Sequence, residues 1–438
     1  MQTNFTLAQL ADPDLAEADK ILRACVHCGF CTATCPTYVL DGNELDSPRG
    51  RIYLIKDMLE HDRPATADVV PHIDRCLSCL ACMTTCPSGV HYMHLVDHAR
   101  VHIEETYRRP LAERVLRNVL AALMPYPRRF RLALQAARLG KPFAPVAEAI
   151  GLKRLAAMLR LSPWHAPHRP LAPQIFPAAG VRQGRVALLP GCVNDLLSPS
   201  INAATIGVLT RHGIEVVVAD GVGCCGSLVH HMGREHEALG QARANIDVWD
   251  GLGGLDAIVI NVSGCGTTVK DYGFMLRDDP DYAAKAARIS ALTKDISEYL
   301  AGLPLAPSDG RAAGLAVAYH SACSLQHGQR INRQPKELLA RLGFAVKDVP
   351  DGHLCCGSAG TYNILQPDIA RRLRQRKVGT IERLRPDVIA AGNIGCITQI
   401  AAGTALPIVH TVELIDWATG GTCPPAMREH RPAVAVRS

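Results

Sequence analysis

The sequence predicts a multidomain chain: an α-helical N-terminal part built around cysteine ligands, then a tandem pair of α/β domains with parallel sheets. Three observations carry that prediction. Of 17 cysteines in 438 residues, sixteen fall into four groups of four. The first two groups share one tight spacing, and the last two repeat each other at a fixed offset. Around the last two groups, β-branched runs alternate with helical stretches, the pattern of a parallel sheet with covering helices.

The balance of 48% apolar and 20% charged residues excludes disordered, collagen-like and coiled-coil classes. No apolar run approaches the ~18 residues of a membrane span. The opening MQTNFTLAQLADPDLAEAD has no basic segment leading into an apolar one, so the expected place is the cytoplasm. There, abundant cysteine points to metal rather than disulfides.

Residues 1–105 form the first unit. Asp12 and Pro13 open a helix with Leu15, Ala18 and Leu22 on one face, and Ser47-Pro48 opens another through RIYLIKDMLE. Cys25, Cys28, Cys31 and Cys35 are followed by Pro36, and Cys76, Cys79, Cys82 and Cys86 by Pro87. Both runs match the bacterial ferredoxin pattern for a [4Fe–4S] cluster at every position. Two-residue spacings wrap three thiolates round one corner, and the proline sends the fourth toward the neighbouring cluster. Cluster one is therefore assigned to Cys25, Cys28, Cys31 and Cys86, and cluster two to Cys76, Cys79, Cys82 and Cys35. Structural zinc is the rival for Cys-x2-Cys units, but it does not account for two complete ferredoxin runs.

Residues 106–180 read as a basic helical connector and Pro-rich linker. Between Arg108 and Arg169 there are 13 Lys/Arg and 2 Asp/Glu, so a chain of net charge +6 is negative elsewhere. The segment offers itself to anionic lipid, to an acidic partner, or to solvent alone. No nucleic-acid-binding pattern accompanies it.

Residues 181–308 and 309–438 are read as two copies of one domain. Cys192, Cys224, Cys225 and Cys265 recur 131 residues later as Cys323, Cys355, Cys356 and Cys396, each set with Cys-Cys-Gly-Ser. RVALLPG, IEVVVA and LDAIVINV are strands of the first copy, and LAVAYH, FAVKDV and DVIAAG of the second. The cysteines follow these strands, where open parallel sheets gather functional groups, and a helix start there favours thiolate. SEYL and VELI mark equivalent closing helices, with about 16 extra residues in the first copy near DYGFMLRDDPDYAAKA. Gly221, Gly223 and Gly226 mimic a dinucleotide fingerprint, but the second copy has Leu354 at the middle position. The repeated feature is thus the thiols, and they form a candidate cofactor or redox site in each copy.

The segments RACVHCGFCTATCPTY, SPRGRIYLIK, TTCPSGV, HLCCGSAGTY and NIGC resemble the iron–sulfur subunits of bacterial glycolate oxidase (glycolate dehydrogenase). In that family, two ferredoxin motifs precede two cysteine-rich CCG domains. The resemblance implies a multi-subunit enzyme and no catalysis by this chain alone. FAD would sit on a partner subunit that oxidises glycolate to glyoxylate, beside a second flavoprotein-like subunit, while this chain relays electrons to a membrane quinone. Peripheral contact with the cytoplasmic face of the inner membrane would fall to 108–169. The same relay for lactate or glycerol 3-phosphate, and a heterodisulfide-type thiol reductase, are the alternatives. The fullest CCG pattern ends Cys-x2-Cys, whereas here Thr268 and Gln399 stand at the final positions. A cubane, another iron–sulfur species or an empty thiol-lined site are all compatible with four thiols.

Weaker signals complete the reading. His94, His98 and His102 are spaced as a solvated polar helix face. His320, His327 and His353 lie near second-copy cysteines and are candidates for orienting ligands or moving protons. Cys423 reads as a free cysteine in the tail.

Overall fold

The computed structural model describes residues 1–429. In its N-terminal part the helices start where side chains can cap them. The Asp12 carboxylate accepts from the Asp14 and Leu15 amides ahead of helix Pro13–Ala24, and the Ser47 hydroxyl accepts from Gly50 N–H ahead of helix Pro48–Glu60. These helices and Tyr92–Thr106 enclose a core in which Leu22, Ile55, Ile73, Leu95 and Ile103 are fully buried.

Helices Leu111–Leu123, Pro127–Gly140, Ala144–Ala149 and Lys153–Leu161 follow. They leave much apolar surface uncovered. Twelve of the nineteen exposed large apolar side chains among the described residues lie between Leu111 and Trp164.

The first sheet contains β1 (Gln174–Phe176), β2 (Gly184–Leu189), β3 (Ile214–Val218), β4 (Ala257–Ile260) and β5 (Thr293–Asp295), in the order β1-β3-β2-β4-β5. The second has β6 (Ala316–His320), β7 (Ala345–Asp348), β8 (Val388–Ala391) and β9 (Ile408–His410), in the order β7-β6-β8-β9. All pairings are parallel except β1 with β3. Removing β1 leaves one doubly wound order in both copies, with the switch point between β2 and β4, or β6 and β8. Register confirms the equivalence: Leu189 pairs with Ile260, and His320 with Ala391.

Several features depart from the sequence reading. The edge strand β1 was not expected, and short strands β5 and β9 precede the closing helices Ile296–Ala301 and Thr411–Ala418. Both helices begin with a capping box, on Asp295 and His410. The helix assigned after Cys265 instead starts at Ser263 and contains it. The extra residues of the first copy form helices Tyr272–Met275 and Ala283–Leu292, which cover its sheet. The copies meet through Ser263 Oγ and Ser324 Oγ at 2.7 Å, and Gln329 Nε2 donates to the Ser263 carbonyl at 2.9 Å.

Candidate metal centres

The two ferredoxin runs adopt the same strained path. His27 and Gly29 in the first run have φ of 54° and 84°, and Ser78 and Leu80 in the second have 48° and 61°. Three of these four are not glycine, and left-handed residues of that kind persist where a site demands them. Alternating right- and left-handed residues turn successive amides inward, a concavity suited to an anionic group. One cavity is lined by Cys25, Cys28, Cys31 and Cys86, with Cys82 also reaching its wall. Burial, then the neighbouring Cys25, pushes the Cys31 thiol up to about 11.

Cys35, Cys76, Cys79 and Cys82 are all buried. Burial pushes Cys79 and Cys82 far up, and neighbouring thiols add to it. Buried Arg51 supplies positive charge: its Nη1 lies 3.7 Å from Cys35 Sγ, while Nη2 donates to Thr37 and Nε to the His72 carbonyl. The Tyr92 hydroxyl points at Cys76 Sγ from 4.0 Å. Buried thiols that raise one another in this way become thiolates only when positive charge arrives among them. Four soft sulfurs around each void therefore fit an iron–sulfur cluster.

In the first CCG copy, the loops after β2, β3 and β4 bring the four thiols to one sheet edge. Cys192 Sγ is 3.6 Å from Cys224 Sγ. Hydrogen bonds from Cys192 and Cys225 hold Cys224 well below the ordinary thiol range, while those same bonds and burial push the two donors up. Apolar Leu189 and Ile246 pack around this site. Asn245 holds the loop, accepting from Gly223 N–H and donating to the Cys224 carbonyl.

In the second copy, Cys323 Sγ is 3.7 Å from Cys355 Sγ, and Cys355, Cys356 and Cys396 form a bonded run. Here no thiol is lowered. Cys355 gains from the Cys323 bond, but its bond to Cys356 and its burial outweigh that. The general lowering by helix starts expected from sequence is thus overturned at every thiol but Cys224 whose shift is resolved, because burial among other thiols is the larger effect. Glycine after the paired cysteines is required in both copies. Gly226 and Gly357 have φ of +87° and +89°, and a Cβ would sit 3.0 Å from the Ala238 carbonyl oxygen and 2.6 Å from that of Ala370.

The second copy abuts cluster two's ligands. Leu77, Cys79 and Ala81 share one buried cluster with Cys355, Tyr362 and Leu373, and Cys323 packs against it. Thr84 Oγ1 meets His327 Nδ1 at 2.7 Å, and the other ring nitrogen of His327 lies 3.2 Å from the His353 carbonyl. His327 is thereby an inter-domain tie, not a group aimed at the thiols. His353 has burial lowering its pKa. The first copy meets the N-terminal part through charged pairs instead. His94 lies 3.0 Å from Asp271 and stacks on Phe274, and His230 lies 3.3 Å from Asp97. The solvated face expected for His94, His98 and His102 is therefore corrected: His94 is consumed in docking, burial lowers the His98 pKa, and His102 bonds the Arg63 carbonyl.

Thr268 and Gln399 do not extend the thiol sets. The Thr268 hydroxyl donates to the Gly264 carbonyl, and Gln399 bonds Asn363 and the Ala370 carbonyl. Cys423 is partly buried against the second-copy core rather than loose. Sequence reasoning missed Arg51, Tyr92 and Lys377. A buried arginine inside SPRGRIYLIK has no pattern of its own, since helical periodicity marks a face and not a charge.

Comparisons with known proteins agree with this architecture. Residues 21–90 match the 4Fe-4S dicluster domain family, and residues 186–270 and 317–401 each match the cysteine-rich CCG domain family. The glycolate oxidase iron-sulfur subunit of Escherichia coli (strain K12) is 45% identical over 95% of this chain and 99% of its own length. The probable glycolate oxidase iron-sulfur subunit of Bacillus subtilis (strain 168) is 32% identical over 87% of this chain and 89% of its own. Lactate utilization protein A of the same Bacillus strain is 23% identical over 53% of this chain and 99% of its own length. With its dicluster domain, its paired cysteine-rich domains and this identity along nearly its whole length, the chain belongs to the family of glycolate oxidase iron–sulfur subunits.

Proposed function

We propose that this chain carries electrons away from a separate FAD subunit that oxidises glycolate to glyoxylate, toward a membrane quinone, with a second flavoprotein-like subunit completing the enzyme. Cys25, Cys28, Cys31 and Cys86 would hold one cluster, and Cys76, Cys79, Cys82 and Cys35 the other. The four thiols of each CCG copy would form a further redox site. Bound there, a [4Fe–4S] cluster takes one electron at a time, which suits a two-electron flavin donor. The residues do the rest. Arg51 places a cation beside Cys35, Tyr92 offers its hydroxyl to Cys76, and the buried core of the helical part keeps water from the second quartet.

The observation that carries this reading is the continuous buried contact of Cys79 with Cys355 and Cys323, since a relay needs its centres close. Docking on an anionic membrane is supported at 108–169 by positive charge and exposed apolar side chains, Leu132, Leu139, Phe143 and Ile150 among them. No helix among the described residues is long and apolar enough to cross a membrane.

The test reconstitutes the chain anaerobically with its flavin partner and adds glycolate. Cluster reduction should follow spectroscopically, while this subunit alone oxidises no glycolate. Reduction by lactate but not by glycolate would overturn the substrate.

A further inference from the structure

The two CCG copies are superposable in sequence and register, yet they differ at one position pointing into the thiol site. Leu189 closes β2 in the first copy, and His320 closes β6 in the second. Leu189 is satisfied there, packed among Cys224, Cys225 and Ile246. His320 is 1% exposed, and neither of its ring nitrogens has a hydrogen-bond partner. It is the only histidine among the described residues whose two ring nitrogens are both buried and unpartnered.

A buried imidazole left unpaired on both sides is a cost without return, and native interiors avoid it unless something absent from the protein atoms completes it. The position of the ring says what that is. A ring nitrogen of His320 and the sulfurs of Cys356 and Cys396 all lie within 4.8 Å of one another. Cys355 is bonded to Cys356, and Cys323 lies 3.7 Å from Cys355. The neighbouring Lys377, itself buried, donates to the Asp351 carbonyl and leaves the imidazole alone. Neither Gln399 nor His327 competes for the site, since both are bonded elsewhere.

We propose that His320 is a protein ligand of the metal held by the second CCG copy, so that this site is bound by imidazole and thiolate while the first copy binds through thiolate alone. The inference rests on the reading that the CCG thiols hold iron. Imidazole and thiolate are both good ligands for iron, and the histidine restores the fifth donor that Gln399 does not provide. Neutral imidazole in place of a thiolate also leaves the second site one negative charge less than a five-cysteine site, so its reduction is easier.

The test uses the full chain, purified and loaded with ferrous iron and sulfide without air, with its histidines labelled with ¹⁵N. Iron per chain is counted, and pulsed EPR is searched for a directly bonded histidine nitrogen. Wild type should hold more than about eight irons and show that nitrogen. His320→Leu, which places in the second copy the residue already tolerated in the first, should lose the nitrogen signal and the iron beyond eight. Its second-site iron should pass to a chelator at least about tenfold faster. Should His320→Leu fail to fold, His320→Cys carries the test: iron retained and the nitrogen lost. No bonded histidine nitrogen in wild type, or the same signal in either variant, overturns the proposal. Iron stopping at eight in wild type also overturns it while leaving the relay intact. Absence of both iron and acid-labile sulfide would sink the relay reading instead.

Discussion

The two CCG copies share a fold, a strand order and four cysteines at one offset, but they meet the N-terminal part in opposite ways. The first copy docks through ionisable groups: Asp97 with His230, Asp271 with His94, Asp14 with Arg277. The second docks through a dry cluster in which Cys79 packs with Cys355, with an exposed Arg372–Asp41 pair at 2.6 Å as its rim. Duplication therefore preserved the pocket and changed its surroundings. One copy is fastened by charge, and the other is joined thiol to thiol. Proximity to a proposed cluster ligand makes the second copy the one placed on the electron path.

The largest effects should come from the ferredoxin thiols. Cys28→Ser and Cys79→Ser should each remove about four irons and slow electron delivery by more than about a hundredfold, with flavin reduction intact, as stopped-flow absorbance will report. The comparison sharpens in the second signature: Cys79→Ser should also disturb the spectrum of the second CCG site, and Cys28→Ser should leave it alone. Identical spectra from the two variants would break the distinction.

Next in size are the glycines. Gly357→Ala combines a left-handed backbone with a Cβ 2.6 Å from the Ala370 carbonyl oxygen, and Gly226→Ala the same backbone with a clearance of 3.0 Å. Thermal unfolding should show a loss of about 3 kcal/mol for the first and about 1–2 kcal/mol for the second. Equal losses would mean the two loops relax alike.

The smallest effect is in pH and belongs to the charged dock. Burial opposes charge on both Asp97 and His230, but each outweighs it for the other: Asp97 is held well below its usual value of 3.8, and His230 is raised above 6.5. The raised histidine contributes fully below about 6.5 and loses its contribution as pH climbs through its folded value. The depressed carboxylate contributes above about 3.8 and fails only in stronger acid. His231, Asp271 and Glu235 share this neighbourhood and broaden the transition. Stability should thus fall by on the order of 1 kcal/mol between pH 6 and pH 9, and His230→Gln should flatten that slope. A slope unchanged in His230→Gln would move the titration elsewhere.

Much of this was legible in the linear sequence, and for a physical reason. Metal ligands at fixed spacing and a duplicated cysteine frame are local or periodic signals, so Cys25 to Cys86 and the 131-residue offset stand out unaided. Strand and helix order followed from β-branched runs and from caps such as Asp12 and Ser47. What stayed hidden depends on contacts between distant segments. Thr84 and His327 are 243 residues apart in sequence, and nothing in either neighbourhood announces the other. The docking of His94 was misjudged because an i, i+4, i+8 histidine row looks the same against solvent as against another domain. Strand β1 has only three residues and pairs with the edge of a sheet laid down 38 residues or more later, at Ile214. His320 was visible as a histidine near cysteines, but its unpaired ring nitrogens were not.

The most direct test of the wiring compares Cys356→Ser with Cys225→Ser in the assembled, air-free enzyme. Glycolate is added, and the rate at which electrons leave this subunit for a quinone is followed optically. The second-copy variant should slow that exit at least tenfold, roughly the 1.4 kcal/mol step of a tenfold rate change, while the first-copy variant stays within about twofold of wild type. If Cys225→Ser is the slower of the two, the path runs through the charged dock, and the buried junction at Cys79 is only packing.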